Sequence, residues 1–170
     1  MKPHRIKQLD DATIGHIAAG EVVERPAQVV KELVENSLDA GATSISVLVE
    51  NGGFDRLVVE DNGSGIANED LSLSLDRHAT SKLSSKEDLA SIASLGFRGE
   101  ALASIGMVSK LTIESQPSGT NGASIVMEDG QKSPLSPVGM SDGTRITVEH
   151  LFRNTPARLA FQRRPATETA

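Results

Sequence analysis

The sequence predicts an α+β fold, with one helical layer on a mixed sheet. Three observations carry that prediction. Helical periodicity concentrates in the first two-thirds of the chain, over residues 10–19, 26–40, 68–78 and 86–94. Strand-like runs gather toward the ends, at 44–50, 56–60, 110–115, 123–127 and 144–149. No internal repeat and no low-complexity linker divides the 170 residues, so one domain is expected. A chain of this size buries about 70% of its unfolded surface and needs no staples.

Each element has a local reason. Residues 10–19 read as a short helix, with polar caps before Ile14 and Ile17 and Gly20 as its stop. Residues 26–40 read as a longer one, with Pro26 in its first turn and Gly41 just past its end. Residues 44–50 alternate through Ile45, Val47 and Val49, and 56–60 form a second β-branched run. Asn51-Gly52-Gly53 between them predicts a hairpin. Residues 68–78 and 86–94 read as helices, and another helix starts near Gly99. The turn Glu128-Asp129-Gly130 follows the strand at 123–127. Ser133-Pro134-Leu135-Ser136-Pro137-Val138-Gly139 reads as a surface loop.

Composition narrows the function. Seventeen Lys+Arg against 23 Asp+Glu give a net charge of −6, which argues against a basic nucleic-acid glove. The chain has no Cys, which excludes disulfides, thiol nucleophiles and zinc–thiolate sites. Aromatics are 2%, with no Trp or Tyr, so base-stacking platforms are nearly excluded. No apolar run approaches the ~18 residues of a membrane span, and no apolar signal region follows Met1. A soluble, unsecreted, intracellular protein is the expectation.

Three constellations carry chemistry. On the 26–40 helix, at about 100° per residue, Val29, Val30, Leu33, Val34, Ser37 and Leu38 share one broad face. Glu32, Asn36 and Asp39 fall within about 60° of one another on another side. A solvated face is the ordinary reading of such a stripe. Its oxygen donors also suit a hard cation such as Mg²⁺, which keeps waters and shares itself with substrate phosphates. An acid one turn away is placed to orient or deprotonate a water. The second constellation is Asp61-Asn62-Gly63-Ser64-Gly65-Ile66, directly after a strand. Asp61 can accept from a base amino group, and Gly63 and Gly65 let the backbone approach a ligand closely. The third is Gly96-Phe97-Arg98-Gly99-Glu100-Ala101-Leu102-Ala103-Ser104, a glycine-rich loop-to-helix junction suited to anions, with Thr80-Ser81-Lys82 upstream. Neither Gly-x-x-x-x-Gly-Lys-Ser/Thr nor Gly-x-Gly-x-x-Gly occurs, so nucleotide binding lies outside the P-loop and Rossmann schemes.

The ordered set Glu32-x-x-x-Asn36-x-x-Asp39-Ala40, Asp61-x-Gly63-x-Gly65 and Gly96-Phe97-Arg98-Gly99-Glu100-Ala101-Leu102 resembles the ATP-binding motifs of the GHKL ATPases. That superfamily holds gyrases, heat-shock chaperones, sensor kinases and MutL. Ala18-Ala19-Gly20-Glu21-Val22-Val23-Glu24-Arg25-Pro26, the 96–104 run and Asn154-Thr155-Pro156-Ala157-Arg158 resemble the MutL mismatch-repair family in particular. The resemblance covers roughly residues 5–161 and implies a Bergerat-type sandwich, a helical layer on a mixed, mostly antiparallel sheet. It implies an ATP-binding domain over 1–161 and a divergent tail over 162–170. Glu32 is then the general base for the attacking water, and Asn36 the Mg²⁺ ligand bridging metal and triphosphate. Asp61 is the acceptor for the adenine amine, supported by Thr144 through water, and Asp39 is a further pocket residue. Gly63 and Gly65 shape that pocket. Thr80, Ser81 and Lys82 join Gly96, Phe97, Arg98, Gly99, Glu100, Ala101 and Leu102 as the lid over the phosphates. Phosphoryl transfer asks for such positioning and charge neutralisation rather than covalent chemistry.

The resemblance also implies ATP and Mg²⁺ as cofactors, and as partners a second copy, a MutS-like mismatch sensor and DNA. Family members continue into a second subdomain that supplies a lysine to the γ-phosphate, which this chain does not include. We read the chain as a truncated piece with weak or absent turnover. The competing readings are a non-catalytic nucleotide-binding or self-association module, and a gyrase-type or histidine-kinase-type domain. His78 reads as a packing residue rather than a phosphoacceptor. Arg153, Arg158, Arg163 and Arg164 read as a solvated basic end rather than a DNA contact.

Overall fold

The computed structural model describes residues 6–77, 100–162 and 165–170. Its strands are β1 (Ile45–Glu50), β2 (Arg56–Asp61), β3 (Lys110–Gln116), β4 (Gly122–Glu128), β5 (Gln131–Lys132), β6 (Ser136–Val138) and β7 (Gly143–Glu149). They form one seven-stranded sheet in the order β1-β2-β7-β3-β4-β5, with β6 also on β4. Every strand pair among the described residues is antiparallel. The helices are α1 (Asp11–Val22), α2 (Pro26–Asp39), α3 (Asn68–Leu71), α4 (Ala101–Met107), α5 (Pro156–Ala160) and α6 (Pro165–Thr169).

Helix α2 is bounded as its sequence dictates. Pro26 opens it, where a missing N–H costs nothing. At the other end Gly41 takes φ +74°, its N–H bonds the Leu38 carbonyl, and Ala42 N–H bonds the Ser37 carbonyl. This is a Schellman closure, which only a residue tolerant of positive φ makes easily. Pro26, Val29, Leu33 and Ser37 are buried, and Val30 and Val34 are half-buried. Leu38, expected on the same face, is instead 50% exposed, in the last turn of the helix.

Other expectations meet corrections or additions. Helix α1 does not stop at Gly20 but runs to Val22, where Val23 takes extended backbone and its N–H closes on the Ala19 carbonyl at 2.8 Å. The 68–78 helix is not continuous: α3 gives way to a 3-10 turn at Leu73–Leu75, and Asp76 is extended. Lys132 Nζ spans the break, bonding both the Ser72 carbonyl (3.2 Å) and the Asp76 carboxylate (2.5 Å). The 133–139 loop contains β6, a three-residue edge strand, with Pro137 opposite Ala123 where no ladder donor is needed. The hairpin at Asn51-Gly52-Gly53 forms as a 3-10 turn, and Asp129-Gly130 joins β4 to β5 with both residues at positive φ. The expected helix at 86–94 lies outside the described residues.

Strand register sorts the inner face of the sheet into rows. Val49–Leu57–Val148–Leu111–Met127 is one, and Val47–Val59–Ile146–Ile113–Ile125 is the next. Apart from the β1 positions, where Val47 is exposed, these pack with Val29 and Leu33 of α2, Leu71 and Leu75, and Ile105 and Val108 to make the core. The third row changes character.

Candidate nucleotide site

That third row reads Ile45–Asp61–Thr144–Ser115–Ala123 across the five strands. Three neighbouring polar side chains thus occupy inward positions where the first two rows are apolar. Thr144 and Ser115 are buried. Their hydroxyl oxygens lie 2.9 Å apart, and Ser115 Oγ also bonds the Gly143 carbonyl at 3.0 Å. Ser115 Oγ in turn accepts the Ile66 N–H at 2.8 Å. The row therefore holds the glycine loop after β2 against β3.

Asp61 is fixed from two sides. Its Oδ2 lies 2.6 Å from Ser37 Oγ on the buried face of α2, and its Oδ1 accepts the Gly63 N–H at 2.8 Å. A carboxylate offers about four lone-pair sites, so two anchors leave it acceptor capacity for a further donor. The loop is bolted to α2 as well: Ser64 N–H bonds the Ala40 carbonyl at 2.9 Å. Asn62 Oδ1 accepts the N–H groups of both Thr43 and Ser44 at 2.9 Å.

Glycine is required here by space. A Cβ on Gly63 would sit 2.9 Å from the Ala40 carbonyl oxygen and 3.0 Å from Asp61 Oδ1. Gly65, at φ +74°, would press a Cβ into the Pro117 backbone at 2.9 Å. Gly143, at φ +128°, would drive one into the Asp61 carbonyl oxygen. Bare backbone thus lines both sides of Asp61. Gln116, on the far side of the Gly65 contact, lines an open groove of about 430 Å³ with Thr120, Asn121, Gly122 and Pro137–Gly139.

Glu32, Asn36 and Asp39 are all half-buried on α2, and Asn36 lies one turn beyond Glu32. Glu32 makes no hydrogen bond or ion pair among the described residues. Asn36 neighbours Ser37, so the helix that anchors Asp61 also carries the acid–amide pair. Glu100 precedes α4, and Ala101 and Leu102 form its first turn, half-buried. Thr80, Ser81, Lys82, Gly96, Phe97, Arg98 and Gly99 lie outside the described residues. Ser37 and Ser115 are the site residues that sequence reasoning missed. Each was visible as a small hydroxyl at a position whose periodicity called for an apolar side chain.

The residues present fit an adenine nucleotide with Mg²⁺. Asp61, anchored at one site on each oxygen, keeps acceptor capacity for an amino donor. No group of three or more His, Asp or Glu with metal-holding geometry exists among the described residues. A hard cation at α2 would thus have fewer than three carboxylate or imidazole ligands from the described residues and would fill its shell with water and phosphate oxygens, as Mg²⁺ accepts.

Residues 24–133 match the family described as histidine kinase-, DNA gyrase B- and HSP90-like ATPase. The DNA mismatch repair protein MutL of Halobacterium salinarum is 52% identical over 166 residues, 96% of this chain and 25% of that protein. MutL of Pasteurella multocida is 56% identical over 167 residues, 97% of this chain and 27% of that protein. The chain thus spans about a quarter of the length of the curated relatives it matches. Among solved structures, the Aquifex aeolicus MutL ATPase domain complexed with ADP superposes with a TM-score of 0.70 at 36% identity. It covers 87% of this chain and 51% of that one. The N-terminal domain of a DNA repair protein superposes at 0.72 with 30% identity, covering 86% and 42%. The antiparallel sandwich, the polar row and these likenesses agree: the chain belongs to the histidine kinase-, DNA gyrase B- and HSP90-like ATPase family, on its MutL-type branch.

Proposed function

We propose that the chain binds ATP and hydrolyses it slowly with Mg²⁺, as a conformational switch in DNA mismatch repair that couples mismatch recognition to downstream repair. The observation that supports this most is the row Asp61–Thr144–Ser115, tied to α2 through Ser37 and flanked by glycines. In this reading Asp61 accepts the adenine amino group, with Thr144 and Ser115 fixing the hydrogen bonds around it. Asp39, Gly63 and Gly65 shape the same pocket. Glu32 takes the proton of the attacking water, and Asn36 presents its amide oxygen to the metal. Bound Mg²⁺ supplies charge neutralisation on the phosphates. Thr80–Lys82 and Gly96–Leu102 cover them.

Residues 1–161 make up the ATP-binding unit and 162–170 its tail. The relatives' printed role makes mismatch repair the setting. A second copy, a MutS-like mismatch sensor and DNA are then the partners, and the place of work is inside the cell, on DNA. Among the described residues no helix is long and apolar enough to cross a membrane.

The test is a pair of measurements on Glu32→Ala. Calorimetry with a non-hydrolysable ATP analogue and Mg²⁺ is expected to give the parent affinity. Phosphate release is expected to fall by about 10²–10⁴-fold, to background, as for loss of a general base. Parent turnover in the variant overturns the assignment of Glu32; absence of analogue binding in the parent overturns the whole reading.

A further inference from the structure

The Asn154-Thr155-Pro156-Ala157-Arg158 motif lies outside the nucleotide row, yet it contacts the elements on either side of it. Arg158 Nη1 donates to the Val23 carbonyl at 2.9 Å, just beyond the end of α1. Its guanidinium lies over the buried Phe152 ring, 5.6 Å from the centroid. The guanidinium occupies the space a side chain at position 20 would need: a Cβ built on Gly20 collides with Nη2 and lies 2.9 Å from Cζ. An alanine at position 20 would therefore require the Arg158 head to move.

Asn154 works at the other end of the motif. Its Nδ2 donates to the Met107 carbonyl at 2.8 Å, on the last residue of α4, and to Asp129 Oδ1 at 2.9 Å. It also lies 3.5 Å from Nε2 of His16 on α1. His16 Nδ1 sits 3.0 Å from the Ala12 carbonyl, which makes Nδ1 the donor and leaves Nε2 unprotonated beside the Asn154 amide, whose two protons go to Met107 and Asp129. Asn154 Oδ1 is buried with no partner among the described residues. The backbone leading in is strained: His150 and Phe152 stand at φ +54° and +65°. Bonds from His150 N–H to the Asp55 carbonyl and from Phe152 N–H to the Val108 carbonyl, 3.1 and 2.7 Å, hold it there. Finally, α1 meets α4 at Gly15, where a Cβ would lie 2.9 Å from Met107 Cε.

We propose that Asn154 and Arg158 are positioning residues that clamp α1 onto α4, and that the grip of the chain on a triphosphate depends on this clamp. A two-turn helix such as α4 has little stability of its own, so its orientation is set by what holds it. The inference rests on the reading above, in which Glu100, Ala101 and Leu102 lie on the phosphate side. The adenine-facing row has its own anchors, Ser37 and Ser115, and does not need the clamp.

The experiment compares two ligands across a double-mutant cycle. Arg158→Ala, Gly20→Ala and the pair together are titrated with a non-hydrolysable ATP analogue plus Mg²⁺, and with adenosine. Each single variant is expected to weaken the analogue about tenfold, the effect of one hydrogen bond to a charged group. Adenosine affinity is expected to stay within about twofold. The pair is expected to be no weaker than the worse single variant, because both changes remove the same contact. Equal losses for both ligands, additive losses, or no loss each overturn the proposal. Should Arg158→Ala not fold, Gly20→Ala alone carries the ligand comparison, since it leaves Arg158 in the chain. Failure of the parent chain to bind adenosine sinks the nucleotide reading itself, whereas adenosine binding with an unchanged analogue affinity in the variants sinks only the clamp.

Discussion

The two faces of the sheet use polar residues in opposite ways. The five long strands β1, β2, β7, β3 and β4 supply the rows of both faces, alternating residue by residue. On the inner face two rows are wholly apolar and polarity is confined to the third, Asp61–Thr144–Ser115. On the outer face the charged rows flank a central one. Ser46–Glu60–Arg145–Glu114–Ser124 is one, Glu50–Arg56–Glu149–Lys110–Glu128 the other, and Leu48–Val58–Thr147–Thr112–Val126 runs between them. Arg145 bonds both oxygens of Glu60 at 3.1 Å, and those bonds above all hold its guanidinium above its ordinary range. Lys110 pairs with Glu149 at 3.8 Å and Arg56 with Glu50 at 3.6 Å. The outer pairs are solvated, each replaceable by water. Inner hydroxyls have only one another and the backbone. A polar group buried in a single row is thus a committed structural choice, while the same chemistry outside is mostly solubility.

This contrast is open to attack by substitution. The largest effect is expected in the apolar inner rows. Ile113→Ala removes a fully buried side chain and should lower unfolding free energy by about 2–5 kcal/mol in a denaturant titration. Next comes Ser115→Ala in the polar row, which strips the Ile66 N–H and Thr144 of a partner. A cost of about 1–3 kcal/mol is expected, together with weaker adenosine binding by calorimetry as the glycine loop loosens. Retained adenosine affinity would show that the row does not shape the pocket. On the outer face Glu60→Gln should cost about 0–1 kcal/mol, and less at high salt; a loss as large as that of Ser115→Ala would erase the distinction between the faces. The smallest effect belongs to the fully exposed Asp10, which caps α1 by accepting the Thr13 N–H at 2.7 Å. That bond sets its pKa below the ordinary 3.8. The cap is therefore fully present above that value and is lost as pH falls through the lower folded-state pKa. Amide exchange at Thr13 should accelerate only in that acid range, and Asp10→Ala should abolish the pH dependence.

Legibility in the sequence followed the range of the interaction. Pro26 and Gly41 bound α2, and Asn51-Gly52-Gly53 turns β1 into β2, because each works through the backbone of its own neighbourhood. Strand alternation announced both faces for the same reason. Lys132 spanning the break after Leu71 and Arg158 filling the space beside Gly20 join residues far apart in the chain, and no local pattern carries them. In the candidate site, Asp61, Gly63 and Gly65 stood out by their place after a strand, and Glu32 with Asn36 by their spacing. Ser37 and Ser115 did not, since a lone hydroxyl within an apolar pattern is common, and only the assembled row gives it meaning. The Gly20 and Leu38 expectations both failed in the last turn of a helix.

The Ala40 carbonyl, left over by the Schellman closure of α2, is taken by Ser64 N–H, while Asn62 grips the backbone at Thr43 and Ser44. Helix, turn and glycine loop are thereby riveted into one jaw. A wall built this way moves as a unit only if these bonds hold together. A change at any one of these three segments is therefore felt by the other two, so substitutions at Ala40, Asn62 or Ser64 should report on the wall as a whole.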